Sequence, residues 1–424
     1  MVQSERQLAQ KLEKLKLLKE ISLELGSERE LGKLLERLME RATQIVGAER
    51  SSLYLIEIVD PRQPPQLVAY VSQQVESIVV PVDSTSIAGR VACTGRTLNH
   101  RNAYRSKFFN PNFDRLHHYR TRSLLTVPMR NLTRVTTGVI QVINKREGDA
   151  FTHDDVRYLT ALGAQAAIAI ENSRYMAEKK RLFENLIHGQ ALAVDARDHL
   201  TAGHSLRVAA YAQAIGEEMD LSAGELELLR YAALLHDQGK IGVPDHVLQK
   251  PGGLTRAEFE EIKGHALKTK LILQTIRRLF PRRLRHLPEM AAYHHERPDG
   301  SGYPDGLRGD EIPLGARIIA VADVFDALTA RRHYRDPASD EQVVALLKRD
   351  AVANKLCDRS VAAFERALPR ILSIRARLNR EQEQAEASGG LSGIAHLRVW
   401  RPAMVTTNDN SFAVAKPPGE PSIL

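Results

Sequence analysis

The sequence predicts a multidomain chain in which an α+β domain is joined by a long helix to an all-α domain. Three observations predict it. Apolar residues recur at helical spacing in the first fifty residues, change to strand-like runs up to about residue 145, then return to helical spacing. From Thr152 to Asp198 the chain has no proline and only isolated glycines, so one helix can run out of the first domain into the second. From about 185 to 378 strand signals are absent. At 424 residues the chain exceeds one ordinary core, and two or three domains are expected.

The elements follow in order. Leu8, Leu12, Leu15, Leu18, Ile21 and Leu25 step by three and four, the apolar face of an N-terminal helix within 1–27 that suits a dimer contact. A second helix reads over LGKLLERLMERATQIV. SSLYLIEIV, QLVAYV and SIVVPV are strands rich in β-branched and aromatic residues, with DPRQPP as a turn. SIAGRVACTG is a short helix ending at Gly95, and SLLTVPMRN and VTTGVIQVINKR are two further strands. These elements form one domain over 28–172, with 173–187 as connecting helix and 188–378 as the helical domain. Loops are expected at 242–254 and 297–313. EQEQAEASGG opens a polar tail, 379–424, with the composition of disorder.

Composition narrows the function. No apolar run is long enough to span a bilayer, and the charged N-terminus lacks the apolar core of a signal peptide. Cys93 and Cys357 are far apart and outside any metal-binding pattern, which argues against a disulfide framework and for a cytoplasmic protein. Cys93 reads as a buried apolar cysteine. The net charge of +8, much of it in IRRLFPRRLRH at 276–286, suits an anionic partner such as a nucleotide, nucleic acid or membrane surface, or else a solvated helix face. Neither nucleic acid nor membrane is expected as a partner, since no zinc-finger or RNP pattern is present.

The chemistry lies in the helical half. His204, the pair His236-Asp237, His265, the pair His294-His295, and Asp323 recur at roughly one helical hairpin each, so successive hairpins can aim them at one centre. Imidazole with carboxylate suits Fe, Mn or Zn, and the lack of thiolate argues against structural zinc. In LLHDQGK, Gly239 reads as the left-handed residue closing a helix. Asp237 can bridge two metals while His236 binds one. Lys240 places a cation beside them, which suits a phosphate.

These residues carry a resemblance. DHLTAGHSLRVAAYA, ALLHDQGKIGVPD, HHERPDGSGYPDGL and ARIIAVADVFDALTARRHYR, in that order over roughly 188–370, resemble the HD-GYP phosphodiesterases of the HD superfamily. The resemblance implies metal-dependent hydrolysis of cyclic di-GMP, with two divalent ions, Fe or Mn, as cofactors. It implies one metal on His204, His236, Asp237 and Asp323, and a second on Asp237, His265, His294 and His295. It implies that Asp237 and Lys240 are catalytic, that Lys240, Arg332 and Arg335 contact phosphate, and that Gly302, Tyr303 and Pro304 shape the substrate pocket. Leu200 stands where some relatives carry a third-metal glutamate, so a two-metal site and the product pGpG, ahead of GMP, are expected. Gln238 and His333 are the other departures. The alternatives are a signalling adaptor that binds the dinucleotide without cleaving it, and a phosphohydrolase of another nucleotide.

Residues 28–172 resemble a GAF sensor domain, which implies an antiparallel sheet with flanking helices, an unidentified small ligand and a homodimer. The resemblance rests on IAGRVACTGRTLN, FFNPNFDRLHHYRTRSLLTVPM, GVIQVINK and FTHDD. Asn144, Lys145, Phe151 and Asp155 match most of the NKFDE motif of cyclic-nucleotide-binding members, with Val156 in place of its glutamate; the motif is partly structural.

Overall fold

The computed structural model describes residues 12, 16, 19–21, 31–58, 62–70, 79–116, 118–198, 203–250, 252–330 and 337–387. Most of the N-terminal helix expected over 1–27, Leu200, Arg332, His333, Arg335 and the tail from 388 lie outside them. The chain divides into two compact units, Met1–Arg181 and Leu182–Leu424.

The first unit is built on a six-stranded antiparallel sheet. Its strands are β1 (Ala48–Glu57), β2 (Gln66–Tyr70), β3 (Val79–Pro81), β4 (Leu98–His100), β5 (Leu124–Arg130) and β6 (Thr136–Lys145), in spatial order β3-β2-β1-β6-β5-β4. The central β1–β6 pairing sets Leu53 opposite Ile140 and Leu55 opposite Gly138. Helix α1 (Leu31–Val46) buries Leu34, Leu35, Leu38, Ala42 and Ile45 at steps of three and four, the amphipathic face its sequence announces. The short helix α2 (Ile87–Thr94) begins with Ser86 capping Gly89 and ends on Gly95 at φ 61°, as its sequence requires. Strand β4, only three residues long, was not legible in sequence; it exists by pairing with β5. Cys93 is exposed, contrary to expectation, because α2 turns Ile87, Ala88, Val91 and Ala92 inward. Helix α3 (Asn112–Leu116) precedes β5.

Helix α4 (His153–Arg197) is one element of 45 residues. The second unit continues with α5 (His204–Glu217), α6 (Ala223–Leu234), α7 (Asp245–Leu248), α8 (Arg256–Thr275), α9 (Leu287–Ala292), α10 (Leu314–Thr329), α11 (Asp340–Val352) and α12 (Asp358–Ala387). No strand occurs among its described residues. Capping boxes Ser222/Glu225, Thr255/Glu258 and Ser339/Gln342 start α6, α8 and α11. The core gathers Tyr211 and Phe325 edge to face, with Phe364 against Phe325. Helix α12 continues nine residues past the expected boundary at 378, since Leu378 is still buried and its turn has packing to gain. The arginine-rich run is not a helix face: it forms two 3-10 turns that bury Phe280 and Leu284 between exposed arginines. No helix among the described residues is long and apolar enough to cross a membrane.

Candidate metal centre

Five short segments of the second unit bring the seven proposed ligands together. His204 opens α5. His236 and Asp237 follow the end of α6. His265 lies within α8, His294 and His295 in a 3-10 turn after α9, and Asp323 in α10. His204, His236, Asp237, His265 and His294 are all buried. Candidate ligand atoms of His204, His236 and Asp323 lie within 4.8 Å of one another, as do those of His265, His294 and His295, and those of His236, Asp237 and His294.

Asp237 stands between these groups. Its Oδ2 is 3.4 Å from His236 Nε2 and 3.9 Å from His204 Nε2; its Oδ1 is 3.3 Å from His265 Nε2 and 4.0 Å from His294 Nε2. The two oxygens of one carboxylate therefore face different histidines.

The hydrogen bonds on the far side of each ring decide what the near side can do. Nδ1 of His236 is 2.7 Å from the carbonyl of Ala233, that of His265 2.6 Å from Ile262, and that of His294 2.7 Å from Ala291. A carbonyl oxygen can only accept, so Nδ1 carries the proton and Nε2 of the neutral ring keeps a lone pair. Those three Nε2 atoms are buried and lack any hydrogen-bond partner. An orphaned buried acceptor costs free energy unless something occupies it, and three converging lone pairs beside a carboxylate fit a divalent cation. His204 is held differently: Asp326 accepts from its Nδ1 at 2.8 Å, while Asp323 lies 3.3 Å from its Nε2.

The charges follow from these contacts. Burial, and then the neighbouring His295, drive His294 well below an ordinary imidazole; burial and His265 bring His295 down to about 3. Burial also lowers His265, against the pull of Asp237. At His204 burial is outweighed by the Asp323 and Asp326 hydrogen bonds, which lift it to about 10. At Asp237 burial alone would raise the carboxyl, but Lys240 and the histidines hold it well below the usual range. Buried Asp237 and part-buried Asp323, beside imidazoles that burial keeps neutral at His265, His294 and His295, make a site that attracts cations.

Lys240 Nζ sits 2.7 Å from Asp237 Oδ2 and 3.0 Å from Asp198 Oδ2. It rides on the 3-10 turn Gln238–Gly242, pinned to α8 by Thr269, which accepts from the Gly239 amide and donates to the His236 carbonyl. Gly239 has no left-handed backbone, contrary to the helix-cap expectation; α6 ends at Leu234, and Gly239 is needed because a Cβ there would overlap the His265 carbonyl.

The loop after the paired histidines is also built in. Glu296, itself buried, accepts from the amides of Asp305, Gly306 and Leu307 at 2.7 to 3.0 Å. Gly302 lies against the backbone of 295–297 with no room for a side chain. The Tyr303–Pro304 peptide is cis, and the Tyr303 ring lies 4.8 Å from that of His295. Sequence reasoning missed Glu296, Asp198, Asp326 and Arg207, the last clasping Asp326 through Nε at 2.8 Å and a second nitrogen at 2.9 Å. The available signal was spacing: Arg207 and Asp326 each lie three residues after a proposed ligand, one helical turn on.

In the first unit the four motif residues are internal. Asn144 is buried and bonds Glu49, Tyr119 and the backbone of Arg120 and Arg122. Lys145 pairs with Asp155 at 2.8 Å and donates to the Val46 carbonyl, and Phe151 lies in the core. None of the four lines the cavity of about 190 Å³ bordered by Tyr54, Phe108, Phe109, Phe113, Tyr119 and Gln141.

Comparison with known proteins agrees with this division. Residues 30–170 match the GAF domain family and residues 183–361 the HD domain family. A 3'3'-cGAMP-specific phosphodiesterase of Vibrio cholerae is 40% identical over 176 residues, 42% of this chain and 33% of the relative. A cyclic di-GMP phosphodiesterase of Thermotoga maritima is 40% identical over 197 residues, 46% of this chain and 52% of the relative. The chain thus spans a third to a half of the length of these relatives. Among solved structures, the GAF domain of an Acinetobacter phosphoenolpyruvate-protein phosphotransferase is 21% identical, with a TM-score of 0.32 over 39% of this chain and 97% of that one.

Proposed function

From a chain that carries a GAF domain followed by an HD domain of the HD-GYP type, we propose a metal-dependent phosphodiesterase that opens cyclic di-GMP to linear pGpG, regulated by a small ligand of the GAF domain. The observation that carries the proposal is the trio of buried, partnerless Nε2 atoms converging on Asp237. In this reading His204, His236, Asp237 and Asp323 hold one divalent ion, and His265, His294 and His295 hold the second with the other oxygen of Asp237. The nitrogen and oxygen donors favour Fe or Mn. When bound, such ions acidify water and neutralise charge on phosphoryl oxygen.

The chain's own residues supply the rest. Lys240, already within 3.0 Å of two carboxylates, offers its ammonium to the phosphate that lies at the metal site. Glu296 holds the Gly302–Pro304 loop against His295, so that Tyr303 walls the pocket. Arg332 and Arg335 are assigned to phosphate on sequence grounds alone, through the paired donors of guanidinium. The enzyme acts in the cytoplasm as a homodimer.

A second substrate, 3'3'-cGAMP, is favoured by the name of the Vibrio relative. The test is chromatography of products from the purified chain, loaded anaerobically with Fe(II) or Mn(II) and given each dinucleotide beside an Asp237→Ala control. Linear product in the parent alone is expected, and the ratio of the two rates assigns the substrate. Retention of a dinucleotide without cleavage under either metal overturns the catalytic reading in favour of an adaptor.

A further inference from the structure

Arg197, the last residue of α4, grips the turn that carries Lys240. Its Nε donates to Asp245 Oδ1 at 3.1 Å. One terminal nitrogen donates to the carbonyls of Lys240, at 3.0 Å, and Ile241. The other donates to the Val243 carbonyl at 2.7 Å and again to Asp245 Oδ1 at 2.8 Å. A guanidinium has five N–H donors, and here every one is engaged. None is left for a phosphate, so Arg197 is not a further cation of the site. The grip is returned by Gln249, which donates to the Arg197 carbonyl at 3.1 Å. Lys268 of α8 takes the intervening carbonyl, that of Gly242, at 2.6 Å, so the four carbonyls from Lys240 to Val243 each accept from a side chain.

Burial does not account for this clasp. Ile241, Gly242 and Asp245 are exposed, so water could serve much of the same polar surface at little cost to the fold. What water cannot supply is direction. A planar fork fixes several acceptors relative to one another and to the helix that bears it. The turn Gln238–Gly242 needs that help, because a short 3-10 segment has poor hydrogen-bond geometry of its own, and Lys240 is its middle residue. We propose that Arg197 is the positioning residue of Lys240: it sets the backbone from which the ammonium reaches Asp237. Asp198, the next residue, acts from the other end of the same side chain, its Oδ2 3.0 Å from Nζ. Two successive residues where α4 ends thus hold one lysine by its backbone and by its charge. The inference rests on the reading of Lys240 as the cation of the scissile phosphate.

The experiment uses the full chain with Arg197→Met and with Arg197→Lys, which keeps the charge and loses the fork. Melting curves control for folding. Amide hydrogen exchange of residues 238–243, read by mass spectrometry on the metal-free protein, should quicken about ten-fold in both variants, because the turn opens locally. With Mn(II) bound, turnover of cyclic di-GMP should fall about 10–100-fold at unchanged metal content, the cost of misplacing a reacting group by about 1 Å. Added to Lys240→Met, the Arg197→Met change should cost less than about two-fold more, because it acts through a lysine already removed. Unchanged exchange in the turn overturns the proposal. So do losses that multiply in the double variant, or a loss of Mn(II) that matches the loss of turnover. A parent that cleaves no dinucleotide overturns the functional reading instead, and exchange in the turn then decides alone whether Arg197 sets it.

Discussion

Replacing Asp326 by Asn tests the physical account of the site at a residue proposed to touch neither metal nor substrate. Asp326 is 2% exposed, accepts from His204 Nδ1, and receives two bonds from Arg207, whose side chain is 11% exposed. The amide turns one acceptor oxygen into a donor, which must then face either the imidazole N–H or the guanidinium. Leaving a buried cation without its counter-charge costs about 3–5 kcal/mol. Each kcal/mol lowers the melting temperature of a unit of this size by about 2–4 °C, so the metal-free protein should melt about 10 °C lower. Loss of the bond that orients a ligating histidine should weaken metal binding about 10–100-fold. The two effects separate in Asp326→Asn/Arg207→Met, which removes the unpaired charge and should recover much of the melting temperature and none of the affinity. Calorimetric melting and Mn(II) titration read both. A single variant whose Mn(II) affinity stays within about two-fold of the parent refutes the argument that Asp326 orients His204 toward a metal.

Lys240→Met should lower turnover by about 100-fold or more while leaving metal content unchanged, since it removes the phosphate's cation and no ligand atom; equal loss of both, by metal analysis and kinetics, would contradict its assignment. Glu296→Gln keeps one acceptor oxygen for three loop amides, so KM for the dinucleotide should rise several-fold more than kcat falls, with metal content as the unmoved readout. Lys145→Met removes the counter-charge of the buried Asp155, which keeps its two bonds from Thr152, and should destabilise the first unit by about 3 kcal/mol in urea melts, with or without any small ligand. His204 is held at about 10 because the Asp323 and Asp326 bonds outweigh burial, so in the metal-free protein its ring is charged below that value. A metal on Nε2 must expel that proton, and affinity should therefore rise about ten-fold per pH unit between pH 7 and 9; a flat profile in calorimetric titration counts against His204 as a ligand.

The seven proposed ligands were legible because their residue types carry their chemistry: paired His-Asp and His-His have few uses in a hydrophobic core. Their supports were not, because each is an ordinary charge until the fold closes around it. Asp326 lies on the same helix as Phe325, and in sequence both could be assigned to any face; in the fold one fills the core and the other reaches His204 and Arg207. Glu296 reads as a surface acid until three loop amides point at it. Gly239 reads in sequence as the left-handed closure of a helix, whereas its need arises from α8 packing across its backbone, an approach that no local rule registers. The strands were recoverable where β-branched or large apolar residues ran together, as in SIVVPV around the three-residue β3 and in SLLTVPMRN around β5. β4, at three, depends entirely on its neighbour.

The far-side bonds of the histidines explain how such a site can stand before any metal arrives. His236 and His294 each lie just beyond a helix, and the carbonyls they bond, Ala233 in α6 and Ala291 in α9, belong to final turns whose oxygens lack a full set of intrahelical donors. His265 uses the second lone pair of Ile262 in mid-helix for the same purpose. Each ring is thus set by its own local chain, in the tautomer that leaves Nε2 bare, at no cost to the secondary structure. Tertiary packing of α5, α6, α8 and α10 then needs only to bring the bare nitrogens within reach of Asp237, and the aliphatic and aromatic core around Tyr211 and Phe325 supplies that packing. A site assembled in this way does not depend on the cation for its fold. Chelation should consequently remove function while leaving the helical signal of the second unit in place, the opposite of a structural zinc module, whose folding free energy is its metal affinity.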